Sequence, residues 1–209
     1  RNLQAQDNAP KRMSLEAYKK IANELGVNEP ERELETWLVK TGVVYFKKGV
    51  FNDDLILDQE WVITAIYALF DRSDTSIDEI RDNRGEFTGA KLRELWKKDY
   101  PDHAVQELLL DFMKRCDICY EVETEEKYPS FEERRFVAPK LLPYERPPFW
   151  EKFKEQELPP HSDDTVELKY TYPFLHEKVM EAIIARTAYL ATQPWMLWQR
   201  ATRIEQDGE

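Results

Sequence analysis

The sequence predicts an α+β fold, and three observations carry that reading. The first is the stretch Asp58–Phe70 (DQEWVITAIYALF), in which Thr64 is the one polar residue between Trp61 and Phe70. An ordinary surface helix has an apolar stripe on one side, whereas a helix apolar all round is a membrane span or a core helix. Crossing a bilayer takes roughly 20 apolar residues, so this helix is expected at the centre of a soluble fold, with partners on every side. The second observation is that apolar residues recur at helical spacing before and after it. The third is a set of short β-rich runs bounded by polar turns, the clearest being the strict alternation of Val166–Tyr172 (VELKYTY).

Taken in order, Arg1–Met13 is polar and is expected to be frayed or a linker. Ser14 caps a helix with Leu15, Tyr18, Ile21, Ala22 and Leu25 on one face, and Gly26 stops it. Asn28 and Glu31 have the spacing of a capping box around Pro30. Leu34, Trp37 and Leu38 would be the buried stripe of that helix, which Gly42 ends. Val43–Lys47 reads as a strand, Gly49–Asp54 as a turn and Leu55–Leu57 as a short strand feeding the central helix, which Asp58 caps.

Asp71–Phe87 is polar and reads as a long surface loop with one helical turn near Ile77–Ile80. Thr88 caps a helix that points Leu92, Leu95 and Trp96 inward, and Pro101 breaks it. Asp102 caps the next, where Val105, Leu108, Leu109, Phe112 and Met113 keep helical spacing. Ile118–Val122 and Arg135–Ala138 read as the two strands of a hairpin. Helices followed by a β-hairpin on one core point to a winged-helix-like first subdomain over residues 14–143, mainly helical.

Half of the twelve prolines (Pro139, Pro143, Pro147, Pro148, Pro159 and Pro160) fall in one stretch. They predict an extended connector over 144–165, with a helical turn at Trp150–Glu155. Beyond it, the alternating Val166–Tyr172, an amphipathic helix over Phe174–Ala191 and a strand over Trp195–Ile204 give strand, helix and strand. In that helix Val179, Ala182, Ile183, Arg186 and Leu190 would take inner or flanking positions. Two strands are a marginal unit on their own, so residues 166–209 read as the truncated beginning of a second α+β subdomain. The chain opens on Arg1, which reads as a piece of a longer protein or a processed one.

Composition narrows the chemistry. A net charge of −11 does not attract phosphate backbones. The helix from Asp102 to Cys116 sets Glu107 and Asp111 against Lys114 and Arg115. The hairpin carries Glu121, Glu123, Glu125, Glu126, Glu132 and Glu133 against Lys127, Arg134 and Arg135. Readers of DNA concentrate positive charge on such elements, so no nucleic-acid partner is expected. The six glycines make no G-x-G, and none is followed by Lys-Ser or Lys-Thr. A loop that cradles phosphate needs those glycines. Cys116-x-x-Cys119 has a metal-like spacing but no second pair, and His103, His161 and His176 are scattered. The cysteines read as small buried hydrophobes. No catalytic, cofactor-binding or metal residues are assigned. No apolar run is long enough for a membrane segment, and two cysteines fit a reducing, cytoplasmic setting.

Three stretches together resemble the COR domain of Roco proteins: ETWLVKTGVVYFKKGVFNDDLILDQEWVITAIYALFD (35–71), GEFTGAKLRELWKKDYPDHAVQELLLDFMKRCDICYEV (85–122) and RFVAPKLLP (135–143). In that family, COR follows a Ras-like GTPase domain called Roc, often after leucine-rich repeats, and the leucine-rich repeat kinases and bacterial Roco proteins belong to it. The resemblance implies a non-catalytic regulatory and dimerisation module. It would pack on Roc in the same chain and couple nucleotide state to self-association. GTP or GDP and Mg would sit in Roc, and the homodimer contact in the C-terminal subdomain. It also implies that Tyr170, in LKYTYPF, faces the GTPase domain. On residues alone Tyr170 lies on the apolar face of its strand, where a core tyrosine is equally at home. A different class of function is an acidic winged-helix module for protein contacts or DNA in a signalling ATPase or transcription regulator.

Overall fold

The computed structural model describes residues 10–71, 76–123, 127–145, 176–191, 196–199 and 201–202. Short helices and small antiparallel sheets make an α+β protein. The chain divides into two compact units: Arg1–Ile77 with Ala90–Cys116, and Asp78–Gly89 with Asp117–Glu209.

In the first unit, β1 (Arg12–Ser14) pairs antiparallel with β2 (Asp54–Ile56), Met13 facing Leu55. The segment expected to fray therefore ends in a strand, although residues 1–9 lie outside the description. Ser14 caps α1 (Leu15–Glu24) by accepting from the Ala17 N–H, and Gly26 closes it in the left-handed conformation (φ +81°). The expected capping box is absent. α2 (Pro30–Glu33) is capped by Glu29 without a side-chain bond, because Pro30 at the first helical position already dispenses with one N–H.

α2 runs on as a π-helix, Leu34–Val39. This overturns the expected buried stripe. An i→i+5 ladder puts more residues in each turn, so three positions no longer bring a side chain back to the same face. Leu34 is buried, Leu38 half-buried, and Trp37 swings out to 61% exposure.

Val43–Lys47 is not a strand. It makes one bridge, Tyr45 to Ile56, and Val43 is exposed. Leu34, Val44 and Leu55 form one core cluster, with Leu15, Tyr18, Leu38, Val39, Phe46 and Leu57 packed against it. The turn before β2 holds Phe51, Asn52 and Asp53 all at positive φ (53°, 55° and 62°). Side-chain bonding helps fix it, Asp53 accepting from the Gly49 N–H. The turn sinks Phe51 into the core, 4.8 Å from Phe112 and stacked on it. Left-handed non-glycine residues cost about 1–3 kcal/mol each, and this burial offsets that cost.

The expected central helix forms as α3 (Gln59–Ala68), capped by Asp58 through the Trp61 N–H at 3.1 Å. The Lys11 ammonium, 2.6 Å from the Asp58 carboxylate, holds that carboxyl below its ordinary value. Its folded pKa is therefore lower than its unfolded one. The stabilisation is present above the ordinary carboxylate range and is lost as pH falls through the folded value. Asp58→Ala should cost about 1 kcal/mol at neutral pH. Urea titrations of both proteins should converge as acid protonates Asp58, at pH values below the ordinary carboxylate range.

α5 (Gly89–Trp96) and α6 (His103–Arg115) complete the helical set, with Asp102 capping α6 through the Ala104 N–H as the sequence predicts. α6 buries Leu109, Leu110 and Met113, and also Gln106, whose amide donates to the Tyr100 carbonyl at 2.7 Å.

In the second unit the stretch expected to be a loop contains part of α4 (Ser76–Asp82) and all of β3 (Glu86–Thr88). β3 makes the expected hairpin of β4 (Tyr120–Val122) and β5 (Arg135–Val137) into a three-stranded antiparallel sheet, order β3-β5-β4. Phe87 and Phe136 stack across β3 and β5 at 5.7 Å. Arg134 makes two bonds to the Glu121 carboxylate, at 2.6 and 2.7 Å. α7 (Glu177–Thr187) buries Ile184, and Ala188 just beyond its end is buried too. The inner face thus differs from the one expected, since Val179, Ile183 and Leu190 are exposed and Arg186 reaches out to pair with Asp117 at 2.8 Å. The single strand expected over Trp195–Ile204 is instead a small hairpin, β6 (Leu197–Trp198) with β7 (Ala201–Thr202). Val166–Tyr172 and Trp150–Glu155 lie outside the described residues.

Candidate interaction surface

α3 is not wrapped on every side. Val62, Ala65 and Leu69 lie at i, i+3 and i+7 and are buried at 6%, 0% and 1% exposure. Their face packs toward α5 and α6, where the small methyl side chain of Ala65 lets Trp96 approach. The Trp96 indole N–H donates to the Ala65 carbonyl at 2.9 Å, one of the last four carbonyls of α3, which lack intrahelical donors. The Tyr100 hydroxyl donates to the Trp61 carbonyl at 2.6 Å, and burial pushes its pKa up to about 12. Trp61 and Trp96 flank the Tyr100 ring at 5.7 and 6.4 Å.

The opposite face is open. Ile63 is 47% exposed and Tyr67 66%, one helical turn apart, beside exposed Glu60 and Thr64. The stripe begins at Gln59, whose amide donates to the Gly42 carbonyl at 2.9 Å, next to exposed Val43. An apolar row on a well-packed helix is the kind of feature that marks a contact with another protein. The sequence already held the signal. Glu60 and Thr64 are four apart, which in a helix puts them on one side, and that side was the one to read as outward.

Among the described residues, the other candidates are scattered over separate elements. Cys116 is half-buried and Cys119 buried, and both are thiols. His103 faces Arg93, while the His176 ring caps α7 by accepting from the Lys178 N–H. Glu133 accepts from the Ser130 hydroxyl and N–H, chiefly the former lowering its carboxyl pKa. Among the described residues, no three His, Cys, Asp or Glu side chains gather as metal ligands would. Also among them, no helix is long and apolar enough to cross a membrane. Tyr170 and His161 lie outside the description.

A family model described as COR-A, C-terminal of Roc, matches residues 1–142. No curated protein matches this chain. Among solved structures, the Roco2 RocCORdC of Methanosarcina barkeri bound to GDP is similar at 18% identity with a TM-score of 0.47. The likeness covers 66% of this chain and 41% of that one, so the chain spans less than half the length of that protein.

Proposed function

The chain belongs to the COR-A family of Roco proteins, the domain C-terminal of Roc, and from that premise we propose that it is a non-catalytic module coupling Roc nucleotide state to self-association. The observation that carries the reading is the outward stripe of α3. Ile63 and Tyr67 offer an apolar row on a helix whose other face is locked by Trp96 and Tyr100. A rigid helix with one open face suits a docking surface for the Roc domain of the same chain. Nucleotide-dependent change in Roc would then shift the balance between two packings of this contact, and with it the balance of monomer and dimer. GTP or GDP and Mg would be held by Roc. Residues 14–143 would form the first COR subdomain, 144–165 a connector and 166–209 the start of the second. That second subdomain would carry the dimer contact and place Tyr170 toward Roc.

The order α4, β3, α5, α6, β4, β5, with the first strand beside the last, supports a winged-helix reading of the first subdomain. The acid-rich hairpin favours its use for protein contacts over DNA.

The test is to place Asp at Ile63 and at Tyr67. Isothermal titration of this chain with separately purified Roc domain should show at least tenfold weaker binding for Tyr67→Asp and Ile63→Asp. The chain's own melting temperature should stay within about 2 °C, since both side chains face solvent. In the parent protein the same changes should flatten the nucleotide dependence of the monomer–dimer balance in sedimentation. Unchanged affinity for Roc in both variants would remove α3 as the docking face.

A further inference from the structure

A second surface of the first unit shares no lining residue with the α3 stripe. Tyr18, Val27, Arg32, Glu33, Trp37 and Leu38 are among the residues lining an open groove of about 700 Å³. Tryptophan is among the most buried side chains on average, yet Trp37 stands 61% exposed on the π-helix, a geometry often kept at functional positions. Its backbone is fixed, because Thr41 donates to the Trp37 carbonyl from both its hydroxyl (2.6 Å) and its N–H (2.9 Å). The backbone that carries the ring is therefore held by the fold.

Charge around the ring is unequal. Arg32 spends its guanidinium on Glu29 at 2.9 Å, and Lys19 holds Glu31. Glu33 makes no ion pair among the described residues, and its charge reaches the Tyr18 hydroxyl, whose pKa is raised first by burial and then by Glu33. Glu35 is exposed nearby in sequence. An indole face beside an uncompensated carboxylate, with Val27 and Leu38 as apolar lining, has a specific complement. A guanidinium is planar and weakly hydrated. It stacks on an indole and donates two parallel bonds to a carboxylate, while an ammonium does neither as well.

We propose that the groove between α1 and the π-helix docks an arginine-presenting segment of a partner protein, the guanidinium stacked on Trp37 and paired with Glu33, an aliphatic neighbour against Val27 and Leu38.

The probe is a fluorescently labelled acetyl-Arg-Leu-Arg-amide peptide, with Lys-Leu-Lys and Glu-Leu-Glu counterparts, titrated with the whole chain and read by anisotropy. The arginine peptide is expected to bind at least fivefold tighter than the lysine one, with affinity falling as salt rises. Trp37→Ala and Glu33→Lys should each weaken it at least tenfold. Both side chains are exposed, so circular dichroism should show these variants folded. In chain labelled with ¹⁵N-tryptophan, the indole resonance lost in Trp37→Phe should be the one the arginine peptide moves. Equal binding of lysine and arginine peptides, no binding up to 1 mM peptide, or undiminished binding by either variant overturns the proposal. So does a dimer of the unliganded chain that Trp37→Ala converts to monomer, which would assign the groove to a second copy.

Discussion

Trp96→Ala is expected to cost the first unit about 3–5 kcal/mol, the range for removing a buried aromatic side chain from a packed core. Trp96 is fully buried at 0% exposure. Its indole does two jobs. The ring fills the space that Ala65 leaves on α3 and packs against Tyr100, 6.4 Å between centroids. The N–H donates to the Ala65 carbonyl at 2.9 Å, satisfying a helix-end acceptor that would otherwise be buried without a donor. Trp96→Phe separates these contributions, because it keeps most of the ring and removes the donor. It should cost about 1–3 kcal/mol. Both costs are read as shifts in the urea midpoint at unchanged slope, followed by far-ultraviolet circular dichroism. An alanine variant less than about 2 kcal/mol weaker than the parent would mean that α3 and α5 do not pack as described. Since that packing presents Ile63 and Tyr67 on a rigid helix, the docking proposed for α3 has the alanine variant bind Roc less well, whereas the phenylalanine variant should retain most of its affinity.

The sequence made the helix starts legible and the strands much less so. Ser14, Asp58 and Asp102 cap their helices as read, because a cap is a bond between residues two or three apart. β1 and β3 have three residues each, too few to display an alternation, and their partners lie about forty and about fifty positions away in the chain. The hairpin of β4 and β5 was visible because the polar stretch between its strands marks a turn. Trp37 went astray for another reason. The spacing of Leu34, Trp37 and Leu38 is read with α-helical geometry, and nothing local in the sequence announces an i→i+5 ladder. α3 shows the limit of composition as a guide. Its apolar count was right for a core helix, yet Ile63 and Tyr67 are apolar and exposed. An apolar side chain that ends up exposed looks, in sequence, like one bound for the core. The groove at Trp37 was hidden in the same way, since its lining is brought together by α1, the segment after it, α2 and the π-helix.

Gly89→Ala is the other change expected to have a large effect, about 3 kcal/mol or more, against the ordinary rule that alanine improves a helix by about 1 kcal/mol over glycine. Gly89 is buried, opens α5 directly after β3, and donates its N–H to the Arg134 carbonyl at 2.9 Å. A β-carbon there would run into the Phe131 carbonyl oxygen and stand 2.7 Å from its carbonyl carbon. The obstacle is backbone, and the turn that carries it is held from several sides. Phe131 is buried, Glu133 and Arg134 N–H groups both donate to the Ser130 carbonyl, and Arg134 is clamped on Glu121. Moving that turn would also disturb the pairing of Thr88 with Arg135. Gly26→Ala provides the contrast. Gly26 has nothing within 4 Å of a new β-carbon, so only its left-handed backbone (φ +81°) resists, at about 1–2 kcal/mol. The same chemical change thus separates a close approach between chain segments from a purely conformational cost. Urea midpoints should rank Gly89→Ala well below Gly26→Ala. The reverse order would mean that the 131–134 turn does not rest on the start of α5.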